Sequence, residues 1–341
     1  MPNIAIIGAT GAVGDVFLRV AEERNFPIQN LKLLATARSA GKTLKFRNKD
    51  ITVEEVSEAS LSNSDIVFCS ATSEASKKWG PIIREMGSVM IDDGSAFRMD
   101  RTVPLVVPEV NAIDLSWHEG IISIPNCTTT PLALALHSMR SISEPTKVIA
   151  STYQAVTGSG SAAALELREQ IKALAQEKPI PQPIVYPQQI AMNVLPQVDD
   201  FDEGNFTKEE LKMRNETRKI LHLPDLPLTA TCVRVPTMIG HAETIHVEFK
   251  DPVDLQEIFS TLSQQDGIWI SDSPNEYPTP LTAEGNDLTH IGRLRRDETV
   301  SDNRGIVFWC VSDNLRKGAA TNAIQIAEEL IARNLLRGNN A

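Results

Sequence analysis

The sequence predicts an α/β protein of two domains: a doubly wound parallel sheet first, then an α+β domain with a mixed sheet. Three observations carry this. A short apolar run, Ile4–Ile7, feeds directly into Gly8, Gly11 and Gly14, and Val13, Phe17, Val20 and Ala21 then recur at helical spacing. From there to Ile121–Ile124, strand-like and helix-like segments alternate. Beyond Val148 the strands lengthen and helices fall between them. At 341 residues the chain exceeds one typical core. The expected division is 1–127, completed by a returning helix over 313–341, and 128–312.

The first glycine turn, Gly8-Ala9-Thr10-Gly11-Ala12-Val13-Gly14, has GxxGxxG spacing, a relative of GxGxxG. Strand, glycine turn and helix in that order read as a Rossmann-like nucleotide site, with a plain βα turn as the lesser alternative. The glycines let the backbone approach a pyrophosphate that rests on the helix N-terminus. Leu31–Ala35 reads as the second strand. Its tip, Thr36-Ala37-Arg38-Ser39-Ala40-Gly41-Lys42, lacks the acid that usually meets a ribose 2′-hydroxyl. Arg38, with Thr36 and Ser39, suits a 2′-phosphate, which favours NADP over NAD. A solvated loop arginine is the plainer alternative.

Asp65–Cys69 is the next strand, closing at Ser70, with a helix to about Met86. Val89–Ile91 follows and ends in Asp92-Asp93-Gly94-Ser95-Ala96-Phe97-Arg98. Loops at the carboxyl ends of parallel strands form the ligand crevice, so Arg98 is a candidate anion binder or a plain surface residue. Ile124-Pro-Asn-Cys-Thr-Thr-Thr-Pro131 then puts Cys127 at a polar turn ahead of a helical run, Leu132–Met139. A thiol at a helix start gains from the backbone N–H groups and the helix dipole, which favour thiolate.

In the second domain Val148–Val156 is strand-like, and Thr157–Ser161 is expected to cap a helix over 162–176. A proline-rich connector spans 179–187. Thr207-Lys-Glu-Glu210 reads as a capping box opening a helix to about Leu221. Met213, Glu216 and Ile220 share a stripe on it, and Lys219 lies three residues from Glu216. An i,i+3 ion pair and a functional pair are both open there. Thr229–Val235 and Glu243–Phe249 are strands, with Arg234 ending the first and His241 opening the second. Ile306–Val311 is the last strand, and Asp313–Ala320 opens the final helix.

Composition narrows the class. The chain is 42% hydrophobic and 23% charged, with a net charge of −11. An acidic chain with one short basic run, Arg293–Arg296, is a poor nucleic-acid binder. No apolar run approaches a membrane span, and the N-terminus reads as that of a mature cytoplasmic protein. Cys69, Cys232 and Cys310 fall in strand-like runs, so core positions are expected. No CxxC spacing suggests a metal or a disulfide framework. A helix-start thiol, a nucleotide unit, and an Arg and a His at strand ends fit thiolate attack on an acyl group or aldehyde, with hydride exchanged at the resulting carbon.

The chain resembles the aspartate-β-semialdehyde dehydrogenase family over nearly its whole length. The motifs are GATGAVG (8–14), ARSAGK (37–42), DDGSAFR (92–98), VVPEVN (106–111), PNCTTT (125–130), TYQAVTG (152–158), Arg234 with His241 seven later, and DNLRKGAA (313–320). The resemblance implies NADPH-dependent reduction of 4-phospho-L-aspartate to L-aspartate 4-semialdehyde, with release of phosphate. It places the reaction in the biosynthesis of lysine and diaminopimelate, threonine, methionine and isoleucine, in a homodimer. It implies Cys127 as nucleophile, His241 as general acid/base and Gln154 as a positioner. Arg234 takes the α-carboxylate, Glu216 the ammonium, and Arg98, Asn126 and Lys219 the phosphate. NADP contacts come from Gly8, Thr10, Gly11, Ala12, Val13, Gly14, Thr36, Arg38, Ser39, Ser70, Gly158 and Asn314. Two alternatives stay open: an N-acetyl-glutamyl-phosphate reductase, and a non-enzymatic relative that keeps the fold. The other histidines, 118, 137, 222, 246 and 290, have no partner motif.

Overall fold

The computed structural model describes residues 1–336. The chain divides into two units, Met1–Asn126 with the stretch from Ala319, and Cys127–Gly318.

The first unit is built on a seven-stranded sheet. Its strands are β1 (Asn3–Ile7), β2 (Asn30–Ala35), β3 (Thr43–Phe46), β4 (Lys49–Glu55), β5 (Ile66–Cys69), β6 (Val89–Asp92) and β7 (Ile121–Ser123), in the order β3-β4-β2-β1-β5-β6-β7. All neighbours run parallel except the edge pair β3–β4. Strands β5, β6 and β7 are buried along their whole length, as a sheet covered on both faces requires. Helices α1 (Ala12–Glu23), α2 (Glu58–Leu61), α3 (Ser73–Glu85) and α4 (Pro108–Asn111) link the strands. The strand order reverses at β1, so the carboxyl ends of β1 and β5 form the switch point where such sheets bind ligands.

The second unit has helices α5 (Thr129–Met139), α6 (Ser161–Ala175), α7 (Lys208–Ile220), α8 (Leu255–Gln264) and α9 (Pro280–Ala283). Its six-stranded sheet contains β8 (Pro145–Gln154), β9 (Leu228–Arg234), β10 (His241–Phe249), β11 (Ile268–Ile270), β12 (Thr289–Arg296) and β13 (Gly305–Ser312). The order is β11-β12-β13-β10-β8-β9, with β8–β9 and β11–β12 parallel and the other pairs antiparallel. This is the mixed sheet that the sequence predicts. Strands β9 and β10 are not neighbours, because β8 lies between them. The last helix among the described residues, α10 (Thr321–Ala332), lies in the first unit, where Asn322 Nδ2 donates to the Val106 carbonyl at 2.8 Å.

Several boundaries differ from expectation. Helix α5 begins at Thr129, closer to Cys127 than the apolar run suggested. Helix α6 follows Gly160, which has no side chain to cap it, while residues 156–159 form a 3-10 turn and the Thr157 hydroxyl turns to Asn314 instead. Residues 316–320 are π-helical before α10 proper begins. The pairs β3–β4 and β11–β12 went unforeseen, and the basic run Arg293–Arg296 is the end of β12.

The capping box on α7 forms as read. The Thr207 hydroxyl accepts from the Glu210 amide, and the Glu210 carboxylate accepts from the Thr207 amide. Its other oxygen accepts from the Cys232 amide of β9, which ties the helix start to the sheet. Thr207→Ala is expected to lower stability by about 1 kcal/mol, measured as a lower urea midpoint; an unchanged midpoint would show that the cap contributes nothing.

Candidate active site

Gln154, Arg234 and His241 come together on one face of the mixed sheet. Gln154 ends β8 and pairs in register with Arg234, which ends β9. His241 opens β10 one step beyond the Ala242–Tyr153 pair, beside Gln154. All three are buried. Ala155 follows Gln154, and its backbone holds the other two: the N–H donates to His241 Nδ1 at 3.0 Å, and the carbonyl accepts from Arg234 Nη1 at 2.7 Å.

An amide N–H can only donate, so Nδ1 of His241 is an acceptor and its ring proton sits on Nε2. That atom is buried and has no partner among the described residues. Burial, then the Arg234 charge, lowers the His241 pKa to about 3. The ring is therefore neutral at physiological pH and presents an N–H. Gly158 closes the pocket: a Cβ there would lie 3.0 Å from both Arg234 Nη1 and His241 Nε2. Asn314 fixes the neighbouring loops by accepting from the Gly240 amide at 2.9 Å and donating to the Thr157 hydroxyl at 3.1 Å.

Gln154 is fixed from two sides. Its Oε1 accepts from the Thr152 hydroxyl at 3.0 Å, and its Nε2 donates to Glu209 Oε1 at 2.9 Å. The carboxylate bonded to Gln154 is therefore Glu209; Glu216, expected to meet a substrate ammonium, stands further along the same helix. Both are buried on α7, seven residues apart, or about 10.5 Å along the axis. Glu209 also pairs with Lys212 at 3.3 Å, three residues on. Glu216 and Lys219 repeat that spacing two turns further along. Sequence reasoning passed over Glu209 because it sits in the first turn beside the capping box, where an acid is explained by the helix dipole alone.

Cys127 is part-buried just ahead of Thr128, the N-cap of α5. Gly318, in the π-helical segment, packs against it: a Cβ there would sit 2.8 Å from the Cys127 Cβ. The other three cysteines are buried in strands or at their ends, as expected. Burial and nearby Asp92 push Cys69 up to about 12, and burial pushes Cys232 and Cys310 up as well, so they stay protonated thiols.

In the first unit Gly8 has φ +86°, and a Cβ on it would fall 2.0 Å from the Ser70 carbonyl, so only glycine fits where β1 and β5 end. A Cβ on Gly14 would lie 2.6 Å from the Gly8 carbonyl. Gly11 caps α1 without a side chain, and Thr10, Ala12 and Val13 complete the turn. These glycines let strand, turn and helix pack closely, the build on which a pyrophosphate sits at the helix N-terminus in such folds. Ser70 donates to Asp93 at 3.0 Å, and Arg98 Nη2 donates to the Asp93 carbonyl at 2.7 Å. Arg98 and Asn126 are buried, Thr36 and Arg38 are exposed after β2, and Ser39 is buried with its amide on the Thr36 carbonyl.

A parallel sheet with a glycine cradle, joined to a mixed sheet that carries a Gln–His–Arg row, is the build of a nucleotide-dependent dehydrogenase. Residues 3–118 match the semialdehyde dehydrogenase NAD binding domain, and residues 136–317 match the semialdehyde dehydrogenase dimerisation domain. The aspartate-semialdehyde dehydrogenase of Aquifex aeolicus is 45% identical over 339 residues, covering 98% of this chain and 99% of that protein. The Bacillus subtilis aspartate-semialdehyde dehydrogenase is 42% identical over 344 residues, covering 98% and 99%. The crystal structure of aspartate semialdehyde dehydrogenase II from Vibrio cholerae, complexed with ASA, superposes with a TM-score of 0.95 at 43% identity, covering 97% of this chain and 98% of that one. The chain belongs to the aspartate-semialdehyde dehydrogenase family.

The depressed His241 pKa gives a signed prediction. Between about 3 and its ordinary 6.5, the folded chain binds fewer protons at this site than the unfolded chain. The contribution is intact above pH 6.5 and is lost as pH falls toward 3. Urea midpoints of His241→Asn should therefore decline less than those of the parent across that window; parallel curves would mean the ring is not held neutral.

Proposed function

We propose that this chain is an NADPH-dependent aspartate-semialdehyde dehydrogenase that reduces 4-phospho-L-aspartate to L-aspartate 4-semialdehyde and releases phosphate. The observation that carries it is the fixed set of Arg234, His241 and Gln154 on one sheet face, with Glu209 of α7 bonded to Gln154. A guanidinium and a carboxylate match the α-carboxylate and ammonium of a free amino acid. The names of the relatives, matched over nearly the whole chain, support the same substrate.

In the forward direction Cys127 Sγ adds as thiolate to the acyl carbon. The bond to the phosphate oxygen breaks, and phosphate leaves with a proton from solvent. The resulting thioester is the electrophile for reduction. When bound, the nicotinamide supplies the hydride. The oxygen that becomes negative is stabilised by the His241 Nε2–H, which a neutral ring with Nδ1 engaged can donate. Collapse of the hemithioacetal returns the electron pair to Sγ and frees the aldehyde. Arg234 holds the α-carboxylate through the guanidinium edge that Ala155 leaves open. Glu209 receives the substrate ammonium in this reading, replacing Glu216, and anchors Gln154 beside the acyl group. Arg98, Asn126 and Lys219 remain the residues proposed for phosphate.

For the cofactor, Gly8 to Gly14 take the pyrophosphate, and Thr36, Arg38 and Ser39 take a 2′-phosphate, so NADP is preferred over NAD. Ser70, Gly158 and Asn314 complete the proposed contacts. The match of 136–317 to a dimerisation domain supports a homodimer. The product would feed synthesis of lysine and diaminopimelate, threonine, methionine and isoleucine in the cytoplasm.

The direct assay mixes the protein with NADP⁺, phosphate and aspartate semialdehyde and follows NADPH absorbance. Signal with N-acetylglutamate semialdehyde but none with aspartate semialdehyde would overturn the substrate. Glu209→Gln should raise KM for the amino-acid substrate more than tenfold, and Glu216→Gln should raise it less; the reverse order would restore Glu216. Arg38→Glu should weaken NADP⁺ far more than NAD⁺, and equal weakening would remove Arg38 from the 2′-phosphate.

A further inference from the structure

Glu243 has no part in the chemistry above, yet it stands in the same buried face. It lies on β10 two residues after His241, so both side chains point to the same side of the sheet. It is wholly buried, and neither carboxyl oxygen has a hydrogen-bond partner among the described residues. In register it faces Thr152 on β8 and Cys310 on β13, and Thr152 pairs in turn with Cys232 on β9. Thr152 is the residue that donates to Gln154, and Glu209 accepts from that same side chain.

The ionisable groups around it are few. On β10 there is His241, held neutral. On β13 and β9 there are the thiols Cys310 and Cys232, both held protonated, with Arg234 at the end of β9. Helix α7 brings Glu209, which Lys212 partners, and Glu210, which is bonded to the Thr207 and Cys232 amides. Helix α5 carries one ionisable side chain, His137, in its last turn. Burial first, and then the Glu209 charge, drive the Glu243 carboxyl well above the ordinary range. A wholly buried carboxyl with no donor disfavours its charged form, whereas Glu209 has both Lys212 and the Gln154 amide as donors.

We propose that Glu243 is a positioning residue that carries a proton at neutral pH and, as a neutral acid, leaves Glu209 the single anion that holds Gln154. A second charge at Glu243 would favour uptake of a proton from solvent by Glu209. Gln154 Nε2 would then lose its anionic acceptor. The role of Gln154 rests on the proposed function, but the protonation state does not, so the two can fail separately.

The test begins with the intact parent chain labelled with carboxyl-¹³C glutamate. One glutamate carboxyl should be protonated at pH 7, and its signal should vanish in Glu243→Gln; ordinary titration of every glutamate would overturn the proposal. Glu243→Gln keeps a neutral side chain of the same size, so it should retain kcat and KM with aspartate semialdehyde within about threefold. A folded Glu243→Gln that loses more than thirtyfold would show that the ionised form is needed and would also overturn it. The thermal midpoint supplies a third readout. A raised carboxyl pKa makes the folded parent lose stability as pH rises above the ordinary glutamate value, so Glu243→Gln should gain on the parent with rising pH. A pH-independent difference would contradict a buried proton. If the parent chain shows no activity with this substrate, the proposed function falls while the carboxyl titration still decides the fate of Glu243.

Discussion

The backbone of Ala155 is the constraint on which the candidate site depends. One residue past β8, its N–H sets the tautomer of His241 and its carbonyl sets the direction of Arg234. Neither contact involves the Ala155 side chain, so a methyl group suffices there and the residue type advertises nothing. Burying an imidazole and a guanidinium is costly unless each finds a partner, and the strand end supplies both partners within one residue. Geometry at this point comes from sheet register, which is stiffer than a loop.

The same economy appears in the first unit. At the switch point the Gly8 backbone meets the Ser70 carbonyl so closely that no side chain fits. The Gly8 amide donates to the Leu34 carbonyl there, so the turn is pinned to β2 as well. In both units the chemistry is placed at strand ends, with glycine or alanine where the approach is tightest. Charge is treated differently in the two. The mixed sheet keeps His241 and the two strand thiols Cys232 and Cys310 neutral by burial, while Cys127 alone among the cysteines is part-exposed.

Much of the fold was legible because its signals are local. Ile4–Ile7 followed by spaced glycines has few other readings, and Thr207 with Glu210 three later is a capping box wherever it opens a helix. Arg234 and His241 were read at strand ends, and β9 and β10 do end and begin there. The strands β3 and β11 were missed because they are short, β12 because its second half is mostly Arg, and β4 because charged residues occupy both of its ends. Glu209 and Glu243 were missed for a different reason. What makes each of them matter is a contact across the sheet or from helix to sheet, and no spacing within the sequence encodes it. Glu216 stood out in the sequence because two apolar neighbours frame it on its own helix.

The proposed reaction makes Cys127 the acyl-accepting nucleophile. Its most direct test is to react the protein with 4-phospho-L-aspartate in the absence of NADPH and map the modified peptide by mass spectrometry. A thioester of the aspartyl group on the peptide bearing Cys127, discharged as semialdehyde when NADPH is added, is the predicted result. An aspartyl group on another residue, or none while turnover proceeds normally, would contradict it.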